Sequence, residues 1–523
     1  MSDITITFLI LGAVVVLFVS NLVPVELVAI GAALSLWATG VLNLDQALAG
    51  FGDPAVILIA SLFVVSEGLD ATGVTTWAGQ RVIGLAGDDR PKLVVLVLLL
   101  VALLTALISV NGAVAALLPM VVIVAIRTKT APSKILLPLA FGAHAGSLLA
   151  LTGTPVNVLV SEAAEGTGAK GFGYLEFALV GVPLVVGTVA IIALFGDKLL
   201  PTRTPRSLAP DLSAHARTLS TQYLLDHDEE DTLLDREQGV AELVIPPRSG
   251  LIGAKVFPGM VTDSGDLIVL AIQRHGEQLD DAEVELRVGD TLLVQGPWAA
   301  LDEHVAADPD VIAVDQPDLV RRQAVPLGPR STPALLIVGA MVVLLATGAV
   351  PPAVAGLLAA CAMVLCRVVT VDQAYRGISW TTIVLVGAMI PLSVAMTETG
   401  AAERIATQLV DLVGNAGPYA LLLGIFVLTV TLGQLISNMA TALIMIPIAI
   451  SAASELDVSV RPVMMCLTVA AAASLLTPVA TPANLMVMGP GGYRFSDYWK
   501  LGLPLLVLYG LVAVLLVPAI WAF

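Results

Sequence analysis

Apolar residues run in long uninterrupted stretches over most of the chain, and charged residues are confined to the gaps between them. A helix needs roughly 20 apolar residues to cross about 30 Å of hydrocarbon. Stretches of that kind predict spans at about 4–20, 24–42, 54–70, 175–200, 332–348, 351–370, 381–397 and 499–521. Two further stretches, 134–165 and 461–489, are interrupted by Thr152-Gly-Thr-Pro-Val-Asn157 and by Thr477-Pro-Val-Ala-Thr-Pro-Ala-Asn484. Pro155, Pro478 and Pro482 remove backbone donors there, so neither stretch can be one continuous helix. From 201 to 331 the sequence turns polar, acidic and proline-punctuated, and Ala241–Ile245, Asp266–Gln273 and Asp290–Gln295 alternate as strands do. The expectation is an all-α polytopic membrane protein with a small soluble α/β insert: membrane repeat 1 at 1–200, the insert at 201–331 and membrane repeat 2 at 332–523.

The two membrane parts are copies of each other. Asp70-Ala-Thr-Gly73 matches Thr397-Glu-Thr-Gly400, and Thr154-Pro-Val-Asn157 matches Thr481-Pro-Ala-Asn484, at one offset: 400 − 73 = 327 and 481 − 154 = 327. Ser109-Val-Asn111 and Ser437-Asn-Met439 extend the match, each followed by an apolar run reaching Pro119 or Pro447, as do Gly181-Val-Pro-Leu184 and Gly502-Leu-Pro-Leu505. The run at about 93–127 is broken near Ser109 and carries Arg81, Arg90, Lys92, Arg127, Lys129 and Lys134 at its two ends. Basic flanks favour the cytoplasm, so both ends belong on one side and the run is expected to be a re-entrant helical hairpin with a polar tip. Its copy, about 418–450 with its tip at Ser437-Asn438, has fewer nearby cations, which predicts the opposite orientation and an inverted repeat. Arg203, Arg206, Arg321 and Arg322 place the insert in the cytoplasm.

Composition agrees with a bilayer as solvent: 57% hydrophobic, 13% charged, mean hydropathy +0.93. The run from Ile4 to Val19 lacks a basic leader and a small-residue cleavage site and is read as a retained span. The formal charge of −17 would disfavour an anionic partner if it were evenly spread, but Asp226, Asp228, Glu229, Glu230 and Asp231 concentrate much of it in the insert. Cys361, Cys366 and Cys466 lie in apolar segments without metal-ligand spacing and read as buried packing residues. The membrane parts show neither a nucleophile–base pairing nor a metal cluster, so no enzyme, no cofactor and no metal beyond Na⁺ is expected.

The candidate chemistry lies at the four breaks. Freed carbonyls beside hydroxyls and amides suit Na⁺, and the N-termini of the half-helices that follow suit an anion. The substrate candidates are Ser109, Asn111, Ser437, Asn438, Thr154 and Thr481; the cation candidates are Asn111, Thr154, Asn157, Asn438, Thr481 and Asn484. Among ionisable residues within spans, His144 is the candidate coupling residue, its alternative role being a hydrogen-bonded histidine in a helix interface. Glu67, Asp70 and Glu398 read as water-boundary residues, and Glu26 as a first-turn acid.

The tip Ser437-Asn438 with Ala440-Thr441, and the run from Thr481 through Gly491-Gly-Tyr493 to Phe495-Ser-Asp-Tyr498 and Gly502-Leu-Pro504, resemble the divalent anion:sodium symporter family of the ion transporter superfamily. The resemblance covers nearly all of the membrane portion. It implies the inverted-repeat ion-transporter fold with two re-entrant hairpins, tips that touch substrate and line two sodium sites, elevator-type movement and a homodimer. Val110 and Met439 depart from the family pattern at the tips. Gly239–Ile245, Ser249–Gly253 and Val288-Gly-Asp290 to Gly296 resemble a TrkA-C regulatory domain at about 235–310, which implies a small-molecule effector. The implied protein is a symporter of the bacterial inner membrane moving sulfate or a C4-dicarboxylate with Na⁺, partnered by lipid and a second copy and not by nucleic acid. A cation/proton exchanger or arsenite-type carrier is the alternative within the superfamily, and a regulated ion channel the alternative of another class.

Overall fold

The computed structural model describes residues 2–20, 22–86, 89–127, 130–203, 238–262, 264–274, 276–279, 283–304, 310–314, 330–413 and 417–523. Arg206, Arg321, Arg322, Lys129 and the acidic run from Asp226 to Asp231 lie outside them. The chain divides into two compact units, one of Met1–Leu69, Ala78–Leu208 and Pro333–Phe523, the other of Asp70–Trp77 and Ala209–Thr332.

In the first half the helices are α1 (Asp3–Ser20), α2 (Val25–Ala38), α3 (Leu44–Leu48), α4 (Pro54–Ala71), α5 (Val74–Ala86), α6 (Arg90–Leu107), α7 (Val110–Arg127), α8 (Leu136–Gly146), α9 (Pro155–Gly166) and α10 (Ala178–Leu199). The second half repeats them as α11 (Ser331–Thr347), α12 (Pro352–Leu365), α13 (Val371–Gly377), α14 (Trp380–Glu398), α15 (Ala401–Val413), α16 (Pro418–Gly433), α17 (Asn438–Glu455), α18 (Val460–Ala472), α19 (Pro482–Gly491) and α20 (Tyr498–Leu511). The duplication reaches local detail. The short helices α3 and α13 both start at a capping box, on Asn43 and on Thr370, which satisfies first-turn N–H groups reciprocally. Gly40 and Arg367, equivalent positions, both take positive φ after the second helix of their half.

Among the described residues six helical stretches are long and apolar enough to cross a membrane: Asp3–Ser20, Leu44–Ala71, Ala178–Leu199, Trp380–Glu398, Asn438–Glu455 and Phe495–Ile520. The segments 134–165 and 461–489 are each two helices, α8 with α9 and α18 with α19, separated by the non-helical stretches that the prolines impose. The segments at 93–127 and 418–450 are helix pairs, α6 with α7 and α16 with α17, broken at Ser109 and Ser437.

Close backbone approach fixes the broken segments. A Cβ on Gly181 of α10 would lie 2.1 Å from the Leu148 carbonyl oxygen, and one on Gly502 of α20 would lie 2.2 Å from that of Leu475. Only glycine lets these helices touch the backbone of the breaks. Polar groups also join segments distant in sequence. Arg203 binds buried Asp497 at 2.6 Å, Tyr493 Oη donates to the Ser133 carbonyl at 2.5 Å, and Arg461 pairs with Glu176, which also accepts from Trp521 Nε1 at 2.7 Å. The tyrosine and aspartate of the run from Gly491 to Tyr498 thus hold the halves together.

One expectation is corrected. Cys361 and Cys366 are exposed on the helix surfaces, where an apolar residue of a membrane protein meets lipid rather than core; Cys466 alone is buried. Lys134 is buried, and its ammonium donates to the carbonyls of Asp197 and Leu200 at 2.8 and 2.6 Å, so it caps the C-terminus of α10.

The second unit holds a five-stranded antiparallel sheet in the order β4-β3-β6-β1-β7, made of β1 (Gln238–Val244), β3 (Ile268–Arg274), β4 (Glu277–Gln278), β6 (Thr291–Pro297) and β7 (Ile312–Ala313). A two-stranded sheet joins β2 (Lys255–Val256) to β5 (Val284–Glu285). Leu243, Ile245, Ile272, Leu286, Leu292 and Trp298 are central to its core. The turn before β6 is tied by Asp290, whose carboxylate accepts two bonds of 2.7 Å from Arg274 and one of 2.8 Å from the Arg287 amide. Gly289 gives this turn its positive φ of 84°.

Candidate functional site

Each half builds its break in the same way. In the first half Asn157, fully buried near the start of α9, donates through Nδ2 to the carbonyls of Ser147 and Ala150, both at 2.9 Å. In the second, Asn484 of α19 is also fully buried and donates through Nδ2 to the equivalent carbonyls of Ser474 and Thr477, at 2.8 and 3.0 Å. These carbonyls were released when the helix broke, and in a non-aqueous interior they need partners. The asparagines are therefore clasps that hold the breaks open, a role that residue type alone does not show. Tyr498 Oη donates to the Asn484 carbonyl at 2.7 Å and fixes the second clasp from α20.

The other end of each amide differs between the halves. Asn157 Oδ1 is buried and has no hydrogen-bond partner among the described residues. Thr154 precedes it as the N-cap of α9, but its side chain makes no capping bond. In the second half Asn484 Oδ1 lies 3.2 Å from His144 Nε2, and Thr481 Oγ1 lies 3.2 Å from the same nitrogen while accepting the Asn484 amide at 3.3 Å. His144, almost wholly buried on α8, is thus brought into one cluster with Thr481 and Asn484 across a sequence gap of 340 residues.

At the hairpin tips, Ser109 caps α7 by accepting the Gly112 amide at 3.1 Å, and Ser437 caps α17 by accepting the Ala440 amide at 3.3 Å. Both hydroxyls follow N-cap chemistry and leave the remaining first-turn N–H groups of α7 and α17 pointing past the tip. Ser109, Ser437 and Asn438 are half-buried, whereas Asn111, in the first turn of α7, is exposed. Asn438 Oδ1 accepts from the Ser474 hydroxyl, and Gln434 bridges the same break, donating to the Ala473 carbonyl at 3.2 Å and accepting the Leu476 amide at 3.0 Å. Thr152 ties the first break to its own hairpin through the Ala106 carbonyl at 2.8 Å.

Gln434, Ser474 and Thr152 were not among the sequence candidates. Ser474 had a signal, since Ser147 and Ser474 stand at the repeat offset and are the same residue.

Packing crosses the halves. Helix α8 packs on α19 and α18 on α9; likewise α7 packs on α19 and α17 on α9. Each break is therefore walled by helices of the opposite half, the arrangement in which interrupted helices of transporters enclose a polar site.

The sequence matches the CitMHS family, described as citrate transporter, over residues 15–469 and 342–523. It is 31% identical to the uncharacterized transporter YfbS of Escherichia coli over 98% of both chains. It is 28% identical to sodium/sulfate cotransporter 1 of Chlamydomonas reinhardtii over 52% of this chain and 32% of that one. The fold is similar to that of the YdaH transporter of Alcanivorax borkumensis, with a TM-score of 0.51 and 13% identity over 91% of this chain and 88% of the other. Broken, duplicated helices and a full-length family match lead to one assignment: the chain is a multi-pass membrane transporter and belongs to the CitMHS citrate transporter family.

Proposed function

We propose that this transporter is a symporter that carries a small oxyanion, sulfate before C4-dicarboxylates, together with Na⁺. The observation that carries the reading is the chemistry of the breaks: helix N-termini at Ser109 and Ser437 offer N–H groups to an anion, and the unpaired buried oxygen of Asn157 offers a ligand to a cation. The preference for sulfate is supported by the sodium/sulfate cotransporters among the relatives. In this reading Ser109, Asn111, Ser437, Asn438, Thr154 and Thr481 contact the anion, and Thr154 and Asn157 hold Na⁺. The hairpins are re-entrant and lie in oppositely oriented halves. Elevator-type movement of the hairpins and broken helices then exposes the site to each side of the bacterial inner membrane in turn. The protein works as a homodimer, and the insert is a cytoplasmic TrkA-C-like domain that binds a small effector.

Counterflow in proteoliposomes with labelled sulfate, succinate and phosphate tests this. Sulfate should exchange fastest, and an inward Na⁺ gradient should stimulate its uptake. If the folded protein moves none of the three, the anion assignment is wrong; rapid non-saturable flux would instead make it a channel.

A further inference from the structure

We infer that the imidazole of His144 occupies the second-half equivalent of the cation position, so that this chain has one Na⁺ site, at Asn157 and Thr154, and not a symmetric pair. The inference rests on the Na⁺-coupled reading above and deepens it.

The tautomer follows from the hydrogen bonds. Both Nδ2 hydrogens of Asn484 go to the carbonyls of Ser474 and Thr477. The atom facing His144 is therefore Oδ1, which only accepts, so His144 Nε2 must carry a proton. That N–H lies 3.2 Å from Asn484 Oδ1 and 3.2 Å from Thr481 Oγ1. A cation bridging these two oxygens would need the volume that the imidazole N–H fills.

The first half supplies the comparison. Position 471 stands at the repeat offset from His144, since 471 − 144 = 327, and it is Ala471 on α18, the helix that packs against α9. An alanine brings no donor to Asn157, and Asn157 Oδ1 is indeed buried without a partner among the described residues. A buried acceptor of this kind in a native fold calls for a ligand. The same cradle is thus closed by a side chain in one half and left open in the other, and a single pair of equivalent positions, histidine and alanine, makes the difference.

Equilibrium binding of radiolabelled Na⁺ to the purified full-length protein, in choline-balanced buffer, reads the number of sites directly. Wild type should bind one Na⁺ per chain. His144→Ala, which restores the residue found at the equivalent position, should bind two, with the Hill coefficient for Na⁺ rising above one. Two Na⁺ per wild-type chain, or one per chain in the folded variant, would overturn the inference. Should the variant not fold, wild-type stoichiometry decides by itself. Two sites in wild type would leave Na⁺-coupled transport standing, whereas no Na⁺ bound by either protein would remove both readings.

Discussion

Replacing each clasp asparagine by alanine compares the halves with everything else nearly constant. Asn157→Ala removes two donors, takes this partner from the Ser147 carbonyl and leaves the Ala150 carbonyl with the Gly153 amide at 3.1 Å, and it also removes the unpartnered Oδ1. Asn484→Ala strands Ser474 and Thr477, gives no such relief, and additionally leaves the His144 N–H without its amide acceptor. A buried polar group deprived of its partner costs about 1–3 kcal/mol. The Ser147 and Ser474 carbonyls appear on both sides of the comparison and cancel, whereas Ala150 keeps the Gly153 amide and Thr477 has no such second donor among the described residues. What remains is one group relieved in the first variant, against one carbonyl stranded in the second and a His144 N–H left with Thr481 alone, so Asn484→Ala should be the more destabilising by about 2–6 kcal/mol. Denaturant titration in detergent, followed by tryptophan fluorescence in choline buffer without Na⁺, measures the difference. Adding Na⁺ should stabilise wild type and Asn484→Ala but not Asn157→Ala. Equal losses without Na⁺, or a larger loss for Asn157→Ala, would refute the asymmetry on which this reasoning depends.

Gly181→Ala and Gly502→Ala should each cost at least about 3 kcal/mol, because the new methyl would meet backbone carbonyls that cannot move without reopening the break, while Gly339→Ala, with open space around it, should be neutral or slightly stabilising; folded yield and denaturation midpoints of the three variants check this. In the insert, burial opposes ionisation of Asp290, but the hydrogen bonds from Arg274 and the Arg287 amide outweigh it and hold the carboxyl below its usual range. A depressed pKa contributes stability that is fully present above the unfolded value of about 3.9 and is lost as pH falls through the folded value. Amide exchange of β1 and β6 in the full-length protein should therefore accelerate below about pH 4, relative to intrinsic rates. In Asp290→Asn it should be faster at neutral pH and less dependent on acid, and an unchanged pH profile in that variant would refute the role of the Arg274 pair.

The duplication was legible because two landmarks shared one offset, and the structure carries it further than sequence motifs did. Helices α5 and α15 are equivalent at both ends, yet neither was expected from hydrophobicity. Helix α15 holds Glu403, Arg404, Gln408 and Asp411 among its apolar residues, which makes it amphipathic and invisible to a search for apolar runs. The breaks were legible from Pro155, Pro478 and Pro482, since a missing N–H is a local property of the chain. Lys134 illustrates the opposite case, because only tertiary structure could show its ammonium capping α10 instead of facing water.

What sequence could not supply was the direction in which a side chain works. Asn157 and Asn484 were chosen for amide oxygens that would face an ion, and in the fold the amide nitrogens do the structural work in both halves. Once Nδ2 is fixed on two carbonyls, Oδ1 must point away from them, and in the second half it faces His144 on the helix contributed by the opposite half. That geometry makes the residue across the halves decisive: it is His144 beside Asn484, and the position equivalent to His144 by the repeat offset is Ala471. A duplicated fold with crossed packing can therefore differ in function between its two halves through one position per half, while the backbone of both breaks stays the same.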